Sequence, residues 1–157
     1  MTDTVSVPAS SGTPRTPGAP VEAAQTAAVH HAMPFTQLLG VEICAYDADE
    51  VRATLAWAPE LCTSGGLLHG GALMALADSL GGAVALINLP DGATGTATIS
   101  STTNFLRAVR GGMVHACARP LHRGRTTIVV DTELRDDDGR LVARVTQTQA
   151  VLGAIGG

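Results

Sequence analysis

Lysine is missing from this chain. The ten basic residues are all arginine, and they stand against fourteen acidic ones for a formal net charge of −4. A field of that sign gives no basis for expecting a nucleic-acid partner. Aromatic residues are nearly missing too, at 3% against 45% hydrophobic overall, so the core has to be built from Val, Leu, Ile and Ala. Cysteine is scarce: Cys44, Cys62 and Cys117 are odd in number and form no CxxC pair. That excludes a disulfide framework and a zinc site and points to a reducing compartment. No apolar stretch follows a basic start at the N-terminus, so no signal peptide is expected and the location is read as cytoplasmic. The one long apolar run, residues 71–90, holds Asp78 and three glycines and has no basic flanks. It is read as a buried helix rather than a membrane span.

What is present organises into a leader and one domain. Residues 1–29 read as a disordered tail, because the first twenty hold four prolines and seven Ser or Thr and offer little to bury. Residues 30–157 are long enough for one folded domain. A short helix is expected over 30–39, with Ala32, Phe35, Leu38 and Leu39 on one face. Strands are expected over 41–46 and 51–57, joined by the polar turn Asp47-Ala48-Asp49-Glu50. An irregular loop then leads to a helix over about 70–88, apolar nearly all round and ended by Pro90 and Asp91-Gly92. Four more strands follow, over about 95–107, 112–121, 126–135 and 141–152, with a bulge expected near Pro120. The class is therefore α+β, with a curved antiparallel sheet wrapped around one long helix.

Chemistry concentrates on that helix. Asp78 is the only charged Asp, Glu or Arg between Glu60 and Asp91, and an unpaired carboxylate among Ala75, Leu76, Ala77, Leu80 and Gly81 is costly unless it has a task. His69-Gly70-Gly71 sits where the helix begins. The first N–H groups of a helix lack internal partners and can hold an oxyanion, and glycines let a ligand come close to them. Gly70 and Asp78 are eight residues apart, which on one helix is a rise of about 12 Å. Both cannot act on one carbonyl within one copy. Two copies with antiparallel helices would bring Gly70 of one to Asp78 of the other, so an active Asp78 implies a homodimer with two shared sites. Arg107, Arg110, Arg119, Arg123 and Arg125 gather half of the basic charge in one stretch, either as a solvated sheet face or as an anchor for an anionic ligand. No GxSxG elbow, GxGxxG or P-loop is present.

Leu68-His69-Gly70-Gly71-Ala72, followed by Ala75-Leu76-Ala77-Asp78, resembles the hot-dog acyl-CoA thioesterases of the phenylacetate-degradation type and their 4-hydroxybenzoyl-CoA relatives. Asn104-Phe105-Leu106-Arg107, Arg123-Gly124-Arg125-Thr126-Thr127 and the segment 134–141 are similar to later stretches of that family. The resemblance implies a hot-dog fold and hydrolysis of an aryl or medium-chain acyl-CoA. It implies Asp78 as the nucleophile or general base, the Gly70 N–H as the donor to the thioester oxygen, and His69 as an orienting group. It implies contacts from Gly71, Arg107, Arg123, Gly124, Arg125 and Thr126 to the CoA portion. No metal and no cofactor beyond the CoA of the substrate is implied, and the assembly would be a homodimer pairing into a homotetramer. Two positions depart from the family pattern. Thr63 stands six residues before His69, where Asn or Gln is usual, and Gly82 stands where some relatives have Thr or Ser. These departures motivate an alternative, a non-catalytic acyl-CoA-binding or sensing protein on the same fold. A hydratase fits the spacing of the motif and Asp78 poorly.

Overall fold

The fold is that of a computed structural model, which describes residues 20–153. Two short helices come first, α1 (Ala23–Ala32) and α2 (Pro34–Leu39). Strands β1 (Glu42–Tyr46) and β2 (Val51–Ala56) form a hairpin, and a 3-10 turn at Pro59–Leu61 begins the loop to the long helix α3 (Gly70–Ile87). Strands β3 (Gly95–Phe105), β4 (Met113–Arg123), β5 (Thr127–Arg135) and β6 (Leu141–Leu152) complete the chain. All six strands join one antiparallel sheet in the order β1-β2-β4-β5-β6-β3. The sheet packs its inner side on α3, as the sequence and the resemblance led one to expect.

Alternation explains which side is inner. Val51, Ala53 and Leu55 of β2, Val114, Ala116 and Ala118 of β4, and Ile128, Val130 and Leu134 of β5 all point inward and are buried. They meet Leu73, Leu76, Ala77, Leu80 and Val84 of α3. The outward positions between them carry charge, with Arg119 bound through Nε and Nη2 to Glu50 and Arg144 through Nε to Asp131. The expected bulge is present as a register shift between Pro120 and His122, where proline cannot donate to the ladder. A second bulge lies between Thr98 and Ser100 of β3.

Two expectations about the start of the domain are corrected. Helix α1 begins at Ala23, inside the stretch read as tail, because Ala23, Ala24, Ala27 and Ala28 favour helix and Val29 is buried against the core. Thr26 also accepts the Ile43 N–H through its hydroxyl, tying α1 to β1. The rest of the tail, residues 1–19, lies outside the described residues. The single helix expected over 30–39 is two helices, because Pro34 lacks the N–H that an unbroken helix would need and instead starts α2 at its first position. Thr36 and Leu39 are the buried residues of α2, while Phe35 and Leu38 are exposed.

Helix α3 is less enclosed than its composition suggests. Gly71, Met74, Asp78 and Leu86 are exposed and recur at helical spacing, which leaves one stripe of the helix open. The strand beside this stripe, β3, is a sheet edge of 11 residues with mostly exposed positions.

Candidate active site

The open stripe of α3 holds both halves of the expected site. At its start, His69 is the N-cap residue with an extended backbone, and its Nδ1 accepts the Gly71 N–H at 2.8 Å. The Ala72 N–H is taken by the His69 carbonyl. Among the described residues nothing accepts the Gly70 N–H, so this donor is open at the helix mouth. The two glycines have separate reasons. A side chain at Gly71 would meet His69 Nδ1 at 2.9 Å, and one at Gly70 would meet the Phe105 ring at 3.0 Å. Phe105, the last residue of β3, thus lies over the helix start while remaining half exposed.

Two turns along the same stripe, Asp78 is held from the sheet. Its Oδ1 accepts from Thr98 Oγ1 at 3.0 Å and from Gln147 Nε2 at 2.7 Å. Gln147 is fully buried, and Gln149, also buried, donates from Nε2 to Thr98 Oγ1 at 3.0 Å. These three residues were not singled out from the sequence, since they come from strands far along the chain. A signal was available: Gln147 and Gln149 occupy inward positions of β6, in register with the apolar Val145, where a plain core would carry Val or Leu.

The remaining expected residues are dispersed. Thr63 is exposed in the loop before α3, and its hydroxyl makes a 3.4 Å contact to the adjacent Ser64 carbonyl. Arg107 is exposed just beyond β3, near the start of α3, where the Val109 carbonyl accepts the Leu68 N–H. Arg123, Gly124, Arg125 and Thr126 lie at the opposite end of α3. There Arg123 donates to Asn88 Oδ1 at 2.7 Å, to the Ala48 carbonyl at 2.9 Å and to Asp49 Oδ1 at 3.0 Å. Its guanidinium ties β4 to the end of α3 and to the β1–β2 turn while the side chain stays exposed. Arg125 and Thr126 are exposed. Gly124 has no room for a side chain, which would lie 2.8 Å from the Thr127 carbonyl. Cysteine chemistry finds no place at Cys117, whose thiol burial pushes up to about 12, so it stays protonated near neutral pH.

A long helix of this make-up opening on His-Gly-Gly, with one anchored carboxylate two turns on and an antiparallel sheet around it, defines a thioester-hydrolysing enzyme of the hot-dog class. The family model described as the thioesterase superfamily matches residues 65–143, and the chain belongs to that superfamily. The esterase PA1618 of Pseudomonas aeruginosa is 35% identical over 122 residues, covering 76% of this chain and 84% of that one. The proofreading thioesterase EntH of Cronobacter turicensis is 33% identical over 115 residues, covering 73% and 83%. Among solved structures, a variant of the PA1618 thioesterase superimposes with a TM-score of 0.76 at 32% identity, covering 89% of this chain and 97% of the other. The PaaI protein of E. coli shares the fold at a TM-score of 0.73 and 24% identity, covering 84% and 94%.

Proposed function

We propose that the protein hydrolyses an acyl-CoA thioester to the free acid and CoA at a site shared by two copies. The observation that carries this reading is the open stripe of α3, on which an anchored carboxylate and an unclaimed Gly70 N–H lie about 12 Å apart. Antiparallel apposition of two α3 helices brings each Gly70 to the other copy's Asp78. The midpoint of that pairing falls on Met74, an exposed apolar residue of the stripe. The long edge of β3 runs beside it, and edge-to-edge pairing of two such strands would continue the sheet across both copies.

In such a site the thioester oxygen rests on the Gly70 N–H, which stabilises the charge that develops as the carbonyl carbon is attacked. Two routes suit Asp78. As nucleophile, its carboxylate bonds to the carbonyl carbon, the C–S bond breaks, CoA leaves as the thiolate, and water then cleaves the mixed anhydride to restore the carboxylate. As general base, it takes a proton from the water that attacks. His69 supports the mouth by capping Gly71. Arg107 and Arg125 are exposed cations suited to the CoA phosphates, with Gly71, Gly124 and Thr126 along the path of the CoA arm. The same antiparallel pairing turns the Arg125 end of one copy toward the Gly70 end of the other. Phe105 and Met74 give the acyl side an apolar lining, in keeping with aryl or medium-chain groups. The reaction draws on no metal or redox cofactor, the setting is cytoplasmic, and two dimers pair into a tetramer.

The test is thiol release from a panel of acyl-CoAs. Asp78→Asn and Asp78→Ala are expected to fold and to lower kcat by about 10²- to 10⁴-fold. Near-normal turnover in both would sink the assignment. Tight acyl-CoA binding without thiol release by the unmodified protein would favour the sensing alternative, which the weak local contact of Thr63 motivates.

A further inference from the structure

We propose that the two oxygens of Asp78 have separate tasks, and that Gln147 and Thr98 are the positioning residues that divide them. Oδ1 is the anchor; Oδ2 is the oxygen that meets the thioester carbon or the attacking water. The inference rests on the reading of Asp78 given above and deepens it. Both hydrogen bonds made to the carboxylate end on Oδ1, from Thr98 Oγ1 at 3.0 Å and Gln147 Nε2 at 2.7 Å. Among the described residues no donor reaches Oδ2. A carboxylate oxygen accepts about two such bonds, so Oδ1 is filled from the sheet side and Oδ2 is left for the substrate side.

Charge and proton count together set the direction of each bond. Thr98 has one hydroxyl proton, and Gln149 Nε2 donates to its oxygen at 3.0 Å. That proton has two acceptors in reach, Asp78 Oδ1 at 3.0 Å and Gln149 Oε1 at 3.2 Å, and the nearer, charged carboxylate takes it, leaving Gln149 Oε1 to the Thr96 hydroxyl at 3.4 Å. The chain therefore runs from Gln149 through Thr98 to Asp78, and Gln147 arrives at the same oxygen from the neighbouring inward position of β6. The β3 bulge between Thr98 and Ser100 keeps Thr98 opposite Gln149 while Ser101 comes opposite Gln147.

The Gln147 amide cannot serve with its ends exchanged, since its oxygen would then face a carboxylate oxygen. In the orientation it has, Oε1 is buried with no hydrogen-bond partner and sits 1.9 Å from where a side-chain carbon on Gly81 would be. A buried acceptor left unmade is costly, and the charge-assisted bond at the other end of the same amide is what offsets it. Gly81, three residues after Asp78 on α3, supplies the space. An amide held this way, against its own acceptor preference, is built to present its N–H to Asp78.

The experiment compares Gln147→Met and Thr98→Val, which keep shape and remove the donor, with Thr98→Ser, which keeps the donor. Steady-state kcat and KM are measured on the best acyl-CoA of the panel, beside melting temperature. Loss of a bond to a charged group predicts a fall in kcat of about 10- to 100-fold in Gln147→Met and Thr98→Val, with KM held within about twofold and Thr98→Ser close to the unmodified protein. The proposal is overturned if either donor-less variant folds and keeps kcat within about twofold. It is overturned equally if Thr98→Ser is as impaired as Thr98→Val, or if KM rises in step with the loss. Should Gln147→Met fail to fold, the two Thr98 variants decide alone. Normal turnover in Asp78→Asn would instead remove the active-site reading itself, whereas an inactive Asp78→Asn beside normal Thr98→Val would remove only the division of the two oxygens.

Discussion

Arg123 and Arg125 sit two positions apart in the chain and have different work. Arg123 spreads its guanidinium over Asn88 Oδ1, the Ala48 carbonyl and Asp49 Oδ1, while Arg125 is exposed in the β4–β5 turn. The ion pair with Asp49 is solvent-exposed and worth little, so the stabilising part is the pair of bonds to Asn88 and Ala48. Arg123→Ala is expected to lower stability by about 1–2 kcal/mol, read by chemical denaturation, and to leave KM for acyl-CoA unchanged. Arg125→Ala should leave stability within about 0.5 kcal/mol and raise KM several-fold, with the difference shrinking at high salt. The reverse pattern would move the CoA contact back to Arg123. A motif read from sequence gives both arginines the same standing, because it cannot show that Asn88 and Ala48, 35 and 75 residues away, have claimed one of them. His69, Gly70 and Asp78 were legible because their signals are local: a helix start and a single charge in an apolar run. Thr98 and Gln147 were not, because they reach Asp78 from 20 and 69 residues away and look like ordinary strand residues.

Among the elements, the strands and α3 were readable because alternation and a long apolar run survive in the sequence without help from distant contacts. The error near the start came from carrying the Pro and Ser/Thr content of the first twenty residues on to residue 29, across the Ala-rich start of α1. Helix α3 carries a further consequence of tertiary packing that propensity alone gets wrong. Alanine normally improves on glycine inside a helix by about 1 kcal/mol. At Gly81 the added carbon would stand 1.9 Å from Gln147 Oε1, and the buried amide has little space to yield. Gly81→Ala is therefore expected to destabilise, by about 1–3 kcal/mol, where an isolated helix would gain. In a Gln147→Ala background, with the obstructing group gone, most of that cost should vanish. Thermal or denaturant unfolding of the four proteins in the cycle measures it. Equal costs in both backgrounds would mean that something other than Gln147 fixes this glycine.

At the scale of the whole molecule, the decisive question is whether one catalytic centre draws on two copies. The pairing of α3 helices about Met74 makes each centre from Gly70 of one copy and Asp78 of the other, which mixed dimers can reveal. Asp78→Asn removes the carboxylate and keeps the donor. Gly70→Pro removes the donor and keeps the carboxylate. Proline suits that position: it is the first residue of α3, its N–H has no helical partner, and His69 before it is already extended with ψ at 134°. The cost falls on Phe105, whose half-exposed ring must shift away from the new ring carbons. Each variant alone is expected to be nearly inactive. Co-expressed with different tags and assorted at random, half of the dimers are mixed, and each mixed dimer has one complete centre and one with both defects. Activity should return to about a quarter of the unmodified protein's. In a tetramer of two such dimers, purification through both tags leaves out only the assemblies of a single variant, about one in eight, and should raise activity to about two sevenths, with an unchanged KM. A centre contained within one copy would give no recovery in the mixture, because neither chain would then hold both groups.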